Sequence, residues 1–258
     1  MTLTSLMILS AALIAVVMVV LWVLSLVLED SSIADIAWGP IFVLVAAVGA
    51  VVGDGWSGRQ LLVLGMVALW GLRLGWHIYR RNRGKGEDPR YATWRERHGP
   101  RWWWMSLVRV FLLQGAFLWV ISLPIQLAMA LTGAEHFTVW DAVGELVWAA
   151  GFLYEAIADA QLAAFKADPA KSGVLDQGLW RNSRHPNYFG EALLWWGIWL
   201  PAVSVPLGWA TVVSPLVITL LLRYVSGVPL AEKLMAGRQG WDEYVRRVPI
   251  FVPGPRRG

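Results

Sequence analysis

Long apolar stretches, separated by short polar ones, account for most of the chain. A helix needs about 20 mostly apolar residues to cross the hydrocarbon core of a bilayer. Stretches at 5–28, 36–52, 60–79, 107–131 and 139–164 approach or exceed this length, and 187–224 is long enough for two crossings, with Pro201, Pro206 and Gly208 at the turn. The pattern therefore predicts seven transmembrane helices in an all-α, polytopic integral membrane protein.

The composition supports the same class of protein. Of the 258 residues, 57% are hydrophobic and 16% are charged, whereas soluble domains are about half apolar and a quarter charged. This balance excludes a disordered chain, a coiled coil and a free nucleic-acid-binding domain. Tryptophan occurs 18 times, and it favours membrane interfaces. The chain has no cysteine, which excludes disulfides, thiolate metal sites and cysteine nucleophiles.

The basic residues indicate an orientation in the membrane. Eighteen of the 22 Lys and Arg residues lie in the segments 80–101, 166–184 and 233–258. Cytoplasmic loops are rich in Lys and Arg, so these segments are predicted to be cytoplasmic and the N-terminus to be outside. The first apolar stretch is expected to be a retained helix rather than a signal peptide. We expect a multi-pass protein of the inner membrane in a bacterium, or of the endoplasmic reticulum in a eukaryote, in contact with membrane lipids.

One motif in the sequence is expected to be misleading. Residues 53–58 read Gly-Asp-Gly-Trp-Ser-Gly, which matches the G-x-G-x-x-G dinucleotide pattern. That motif requires a preceding strand and a helix packed on a parallel sheet. Here it joins two predicted membrane helices, so we predict a plain turn.

Acidic residues in the fifth predicted helix are candidates for function. Glu155 and Asp159 are four residues apart and share one helix face, and Lys166 follows toward the cytoplasmic end. A charged side chain at the bilayer centre costs about 2.5–3.5 kcal/mol on insertion scales, so such residues usually face a cavity or a partner. The alternative is that both acids lie near the cytoplasmic end and are simply hydrated.

The segment 178–191 leads from basic and polar residues directly into an apolar helix. Pro186 suits the first turn of that helix, whose free N–H groups and dipole favour an anion. Arg181, Arg184 and His185 would strengthen the binding of a phosphorylated ligand. The alternative is a basic cluster that contacts lipid headgroups.

Two further features extend this segment. Asn187 and Glu191 are four residues apart and point one amide and one carboxylate inward, which favours a ligand site over a headgroup contact. The polar and aromatic tail from Glu232 to Tyr244 suits a lid over a cofactor. An ordinary amphipathic tail would have a similar composition.

Together these segments resemble a known family. Residues 179–191, with Glu232, Lys233, Tyr244 and the pair Val248-Pro249, are similar to the C-terminal half of the steroid 5-alpha-reductase family. Sterol reductases and isoprenylcysteine methyltransferases share a similar half. The segments 35–39 and 81–91 resemble the bacterial branch of the reductases. The resemblance implies a single membrane domain, with substrate-side helices in 1–131 and a cofactor-binding half in 132–258.

The resemblance implies NADPH as the cofactor. Asp159 and Lys166 match acidic and basic residues of the family's cofactor motif, and Glu155 replaces a common asparagine. Asn187 and Glu191 match residues that contact NADPH. The cofactor-binding residues implied in this way are Glu155, Asp159, Lys166, Trp180, Arg181, Arg184, His185, Asn187, Tyr188, Glu191, Arg223, Tyr224, Glu232, Tyr244 and Arg246.

The resemblance also implies a substrate end, with Asp35, Trp70 and Arg73 as catalytic candidates. Asp35 matches a glutamate beside the steroid 3-keto group, Arg73 matches an arginine of the third helix, and Trp70 stands where vertebrate members carry a catalytic tyrosine. Trp38, on the same helix face as Asp35, is a candidate wall for a flat substrate. From the residues alone, Asp35 is either a helix N-cap or a buried, protonated carboxyl group that donates to the substrate oxygen.

The activity implied is NADPH-dependent reduction of the conjugated double bond of a 3-oxo-delta-4 steroid or a similar flat lipid enone, with hydride transfer to carbon 5. The alternatives are a membrane methyltransferase that uses S-adenosylmethionine and a lipid-binding or scaffold protein. The four histidines, at 77, 98, 136 and 185, lack the spacing of metal ligands, so we expect no metal. We also expect no nucleic-acid partner and a monomeric protein.

Overall fold

A computed structural model describes residues 1–170 and 172–256, and in these ranges the regular secondary structure is helical throughout. The α-helices are α1 (Leu3–Leu28), α2 (Ile33–Val52), α3 (Ser57–Asn82), α4 (Pro89–His98), α5 (Trp102–Ser106), α6 (Leu113–Ile121), α7 (Leu123–Ala130), α8 (Val139–Ala167), α9 (Pro186–Ala202), α10 (Val213–Leu220), α11 (Val228–Met235) and α12 (Trp241–Arg247). Short 3-10 or π-helical turns extend several of them.

Within the described residues, five helical stretches are long and apolar enough to cross a membrane: Leu3–Leu28, Ile33–Val52, Ser57–Asn82, Pro89–Ile121 and Gly208–Met235. The prediction of an all-helical membrane protein is therefore confirmed. The predicted crossings near 139–164 and after 187 correspond to α8 and α9, which do not belong to this set. Acidic side chains make α8 less apolar, and α9 is short.

Two stretches differ from the sequence prediction. The basic segment 80–101 contains α4, because the side chain of Asp88 caps the helix by accepting from the Arg90 N–H at 3.0 Å and Pro89 occupies its first turn. The predicted helix 107–131 is interrupted at Ser122, between α6 and α7. Pro124 has no N–H to continue the helical hydrogen bonds, which explains the break.

The described chain divides into two compact units. The first unit consists of Met1–Asp141 and Pro201–Thr211, and the second of Ala142–Leu200 and Val212–Gly258. The first contains α1 to α7, and the second contains most of α8 and α9 together with α10, α11 and α12.

In the first unit, α2 and α3 touch backbone to backbone. A Cβ atom added at Gly39 would lie 2.3 Å from the carbonyl oxygen of Gly71, and one added at Gly71 would lie 2.6 Å from that of Gly39. Small residues permit this approach between membrane helices. Of the predicted turn 53–58, residues 53–56 join α2 to α3, and the last two residues already belong to α3. The Gly55 N–H donates to the Met129 carbonyl at 2.9 Å.

The first unit contains a buried ion pair between α3 and the first turn of α8. The guanidinium of Arg59 donates to both carboxylate oxygens of Asp141, at 2.8 and 3.0 Å, and both side chains are almost fully buried. Arg59 also donates to the carbonyls of Ala134 and His136. Thr138 donates to Asp141 through its N–H and hydroxyl groups. Burial of such a pair requires this complete set of hydrogen bonds.

In the second unit, α8 and α9 also meet at glycines. A Cβ atom at Gly190 would lie 2.5 Å from the backbone nitrogen of Glu155, and one at Gly151 would lie 2.5 Å from that of Leu194. The two helices therefore run side by side with the residues around 155 opposite those around 190. This register brings the acidic face of α8 against the first turns of α9.

We expect Gly71→Ala to destabilise the protein and Gly65→Ala to leave it unchanged or slightly more stable. Both glycines lie within α3, but a Cβ atom at Gly65 would meet nothing within 4 Å. Alanine gains about 1 kcal/mol over glycine in a helix interior, while overpacking typically costs about 1–3 kcal/mol. Thermal unfolding of both variants in detergent measures the difference. Equal unfolding temperatures would contradict the backbone contact.

Candidate functional site

The start of α9 is held against the tail of the second unit. The helix begins at Pro186, which confirms the predicted position of this proline. Just before it, the Arg184 N–H donates to the Pro249 carbonyl at 2.9 Å, and the Ser183 hydroxyl donates to the Phe251 carbonyl at 2.8 Å. Residues 183–186 are buried, so the basic segment enters the protein before the helix begins.

Three charged or titratable side chains meet at this point. Arg184 Nη1 lies 3.2 Å from Glu232 Oε1, and His185 Nε2 lies 3.1 Å from the same oxygen. Arg184 and His185 are buried, whereas Glu232 is a quarter exposed. Burial lowers the pKa of His185, and this effect exceeds the opposing effect of Glu232. The ring of Tyr188 stacks on that of His185 with the centroids 5.7 Å apart.

A second polar cluster lies between α8 and α9. Asn187 Nδ2 donates to Asp159 Oδ1 at 3.2 Å, and the side chains of Glu155, Asp159 and Glu191 are all buried. The alternative that the two acids of α8 are simply hydrated is therefore wrong. Asn187 Oδ1 is buried and has no hydrogen-bond partner among the described residues. The cluster is thus rich in acceptor oxygens, a composition that suits ligand N–H groups or a positive charge.

The tail packs on the segment that precedes α9. The Tyr244 hydroxyl donates to the Trp180 carbonyl at 2.7 Å, and Trp180 Nε1 donates to the Ala158 carbonyl at 3.0 Å. Burial raises the pKa of Tyr244. A cavity of about 310 Å³ open to solvent lies beside this contact, lined mainly by residues of 172–176 and 239–248 and by Arg256.

The remaining cofactor candidates lie nearer the surface of the second unit. Lys166, Arg181, Tyr224 and Arg246 are exposed, and Arg223 is half-buried over the ring of Tyr224, with its guanidinium 4.7 Å from the ring centroid. The structure thus brings together Asp159 with Asn187, Arg184 and His185 with Glu232, and Trp180 with Tyr244.

In the first unit, Asp35 lies in a polar cluster of its own. Its Oδ2 accepts from Arg90 Nη2 at 2.7 Å, and its Oδ1 accepts from the Tyr91 hydroxyl at 2.7 Å. Gln114 Nε2 donates to the Tyr91 oxygen at 3.1 Å. Both oxygens of Asp35 are therefore engaged as acceptors. The N-cap of α2 is Ser32, so the alternative that Asp35 caps this helix is wrong.

Aromatic rings continue from Asp35 along α2 and α3. The rings of Trp38 and Phe42 are 5.8 Å apart, as are those of Phe42 and Trp70. Trp70 is fully buried, and Arg73, one turn further along α3, is half-buried. The three rings pack edge-on or tilted, with interplanar angles of 79° and 54°, and Phe42 is fully buried like Trp70.

The sequence interpretation did not name Arg90, Tyr91 or Gln114 as site residues, although 81–91 carries part of the family resemblance. The cap at Asp88 and the proline after it are a recognisable helix start, and that signal places Tyr91 on a helix. No signal in the sequence pairs Tyr91 with Asp35, which lies 56 residues earlier. Within residues 1–170 and 172–256, no group of three His, Asp or Glu side chains is placed to hold a metal ion.

The comparisons with known proteins place the chain in a family. Residues 21–248 match the family described as "Protein of unknown function (DUF1295)", and the chain belongs to it. An uncharacterized protein of Schizosaccharomyces pombe is 27% identical over 209 residues, which cover 70% of this chain and 60% of that relative. The match thus spans about three fifths of the relative's length. No solved structure matches the chain.

We expect the stability of the protein to fall as the pH drops below about 6.5, the ordinary pKa of histidine. Because the pKa of His185 is lowered in the folded protein, the unfolded chain takes up a proton first, and stability decreases with falling pH. Thermal unfolding in detergent between about pH 7.5 and pH 5.5 measures this slope. The slope should be smaller in His185→Gln and unchanged in a control at the exposed His136. An identical slope in His185→Gln would contradict this assignment.

Proposed function

We propose that this protein is an NADPH-dependent reductase of a conjugated lipid enone, most simply a 3-oxo-delta-4 steroid or a molecule of similar shape. The observation that supports this most is the buried cluster of Asn187 with Asp159, Glu155 and Glu191. The family includes steroid 5-alpha-reductase-like proteins. Within it, the resemblance of 179–191 favours the reductase branch.

The residues of the second unit fit the nicotinamide end of NADPH. Asn187 Oδ1 is a buried acceptor without a partner among the described residues, and a carboxamide N–H group would satisfy it. When bound, NADPH supplies a hydride. Glu155, Asp159 and Glu191 would stabilise the positive charge that the nicotinamide ring gains as the hydride leaves.

Basic residues at the start of α9 fit the phosphates. Arg184 and His185 directly precede the first turn of α9, and the N-terminus of a helix favours an anion. Glu232 already contacts both side chains, so a phosphate would share or replace that contact. Arg181, shortly before α9, and Lys166, near the end of α8, are exposed and add positive charge to the second unit.

The first unit fits the apolar substrate. Trp38, Phe42 and Trp70 form an aromatic cluster in which Trp38 is the half-buried member, and a flat lipid ring packs well against an aromatic side chain. The hydride reaches carbon 5 of the enone and a proton from water reaches carbon 4, while negative charge develops on the 3-oxygen. A hydrogen-bond donor beside that oxygen lowers the barrier.

A methyltransferase that uses S-adenosylmethionine is the second candidate. Its sulfonium and ammonium groups are positively charged, and the buried carboxylates Glu155, Asp159 and Glu191 would favour such a ligand. The adjacent Arg184 and His185 favour a phosphorylated ligand instead, which S-adenosylmethionine is not.

We expect Asn187→Ala to weaken NADPH binding at least tenfold, about 1.4 kcal/mol. Titration of the purified protein with NADPH and with S-adenosylmethionine measures both affinities. Asn182→Ala is a matched control, because Asn182 is exposed on the segment before α9. Tight binding of S-adenosylmethionine without binding of NADPH would select the methyltransferase.

We also propose seven crossings, with α8 and α9 added to the five long apolar stretches, the N-terminus outside and the tail inside. Reporter fusions after Gly99 and after Gly254 should both report the cytoplasm, because both follow segments rich in Lys and Arg. Opposite locations for the two fusions would contradict this topology.

A further inference from the structure

We infer that the first unit carries a binding site for the headgroup of an anionic phospholipid, at the junction between α4 and α5. Three arginines, Arg97, Arg101 and Arg109, form the charged part of this site, and the tryptophans next to them in sequence form its apolar part. None of these arginines is a candidate cofactor or catalytic residue, and the inference does not depend on the proposed reductase activity.

The three arginines of this junction are exposed and lack an acidic partner. Arg97 lies on α4, Arg101 in the turn before α5, and Arg109 shortly after α5. None of them forms an ion pair with an acidic side chain in the part of the chain that the structure describes. The sequence explains this, because no acidic residue occurs between Glu96 and Glu135. Glu96 and Arg97 are successive residues of a helix and do not face each other. Three positive charges are therefore available to a ligand.

The start of α4, in contrast, is held by carboxylates that already have arginine partners. Glu87 accepts from Arg95 at 2.9 Å and from the Ser31 N–H at 2.7 Å. Asp88 accepts from Arg90 at 2.9 Å. These contacts, the anchors of α4, attach the helix to the turn before α2 and neutralise two of its arginines. They fix the position of the helix and leave the charges at its far end available.

Arg109 has the position of a lipid-facing residue. It lies in the π-helical turn Leu107–Leu112, inside the apolar stretch Pro89–Ile121. Its neighbours Val108 and Leu112 are exposed apolar side chains. A charged group among lipid-facing residues is costly unless its head reaches the polar surface of the membrane. A π-helical turn is rare and is frequently found at a functional site.

The guanidinium of Arg109 turns back toward the end of α4. Its Nη1 atom lies 3.4 Å from His98 Nε2, although the two residues are eleven positions apart. The His98 ring stacks on that of Trp102, with the centroids 6.3 Å apart and an interplanar angle of 3°. Arg97 directly precedes His98, and Arg101 directly precedes Trp102. The structure therefore brings the charge of Arg109 to the segment that carries the other two arginines.

Tryptophan side chains supply the apolar part of the site. Trp103 and Trp104 follow Arg101 closely in sequence and are exposed. Trp22 Nε1 of α1 donates to the Trp103 carbonyl at 2.7 Å, which ties α5 to α1. Exposed tryptophans favour the boundary between headgroups and acyl chains. A ligand at this junction meets positive charge together with amphipathic rings, which matches a phospholipid better than a small soluble anion.

The balance of charge selects the class of headgroup. Phosphatidylcholine carries an ammonium group that cancels the charge of its phosphate, whereas phosphatidylglycerol has a net negative charge. Arginine binds phosphate oxygens through paired hydrogen bonds. A basic residue near an anionic membrane surface contributes about fivefold in affinity. Three guanidinium groups without acidic partners therefore favour phosphatidylglycerol.

The first test compares the binding of phosphatidylglycerol and phosphatidylcholine to the purified protein by native mass spectrometry in a mild detergent. We expect wild type to prefer phosphatidylglycerol at least tenfold, because several arginines each contribute about fivefold. The triple variant Arg97→Gln, Arg101→Gln, Arg109→Gln should lose most of that preference. No preference in wild type, or an unchanged preference in the triple variant, would overturn the inference.

A matched control removes the same charge from the neighbouring basic loop. Arg80, Arg83 and Lys85 are exposed at the end of α3 and in the turn after it. The variant Arg80→Gln, Arg83→Gln, Lys85→Gln should keep the preference for phosphatidylglycerol. An equal loss in both triple variants would show a diffuse effect of net charge and reject a site at the junction of α4 and α5.

Thermal unfolding in nanodiscs distinguishes a lipid from a soluble anion. In pure phosphatidylcholine, we expect wild type and both triple variants to unfold at the same temperature. Added phosphatidylglycerol should raise this temperature for wild type and for the control variant only. Arg101→Gln alone, expected to lower phosphatidylglycerol affinity about fivefold, replaces the first triple variant if that variant does not fold. An equal rise with inorganic phosphate in pure phosphatidylcholine would reject the lipid as the ligand.

Discussion

Direct contact between helix backbones positions the candidate site residues in each unit. Between membrane helices there is little hydrophobic driving force, so close packing at small residues takes its place. In the first unit, Gly39 and Gly71 directly follow Trp38 and Trp70 in sequence, and the backbone contact fixes both aromatic residues. In the second unit, Gly190 lies against Glu155, and the hydrogen bond between Asn187 and Asp159 forms about one turn away.

The pairing of the buried charges is also a consequence of the apolar surroundings. An ionised group in a medium of low dielectric must be paired and hydrogen-bonded, and each main cluster has its own compensation. Arg59 and Asp141 share a complete set of hydrogen bonds. Arg184 and His185 share Glu232, and burial holds the pKa of His185 below its ordinary value. On the acidic face of α8, Asp159 accepts a hydrogen bond from Asn187 at 3.2 Å, and this face is the candidate for binding a ligand.

The sequence predicted the class of fold because hydropathy depends on local composition. It also predicted the turn at 53–56 and the start of α9 at Pro186, since glycine and proline act locally. It did not predict the interruption at Ser122 or the helix α4 inside a basic loop. The pairing of Asp35 with Tyr91 could not be predicted either, because it depends on how α2 and α4 pack. The roles assigned to the cofactor residues remain predictions from resemblance, although the structure brings several of them together.

The anchors of α4 set the conditions under which Tyr91 stays in place. Burial raises the pKa of Glu87, but hydrogen bonds from Arg95 and Ser31 outweigh it and the net pKa is lowered. The pKa of Asp88 is also lowered, because the hydrogen bonds and charge of Arg90 exceed the effect of burial. A carboxylate whose pKa is lowered in the folded protein stabilises the fold at any pH above its ordinary pKa. This contribution is lost as the pH falls through the pKa of the folded protein. The ordinary pKa values of Glu87 and Asp88 are 4.5 and 3.8, so both carboxyl groups are fully charged at neutral pH. The contacts that hold the start of α4 are therefore unaffected by pH near neutrality, where the lowered pKa of His185 makes the stability of the fold depend on pH.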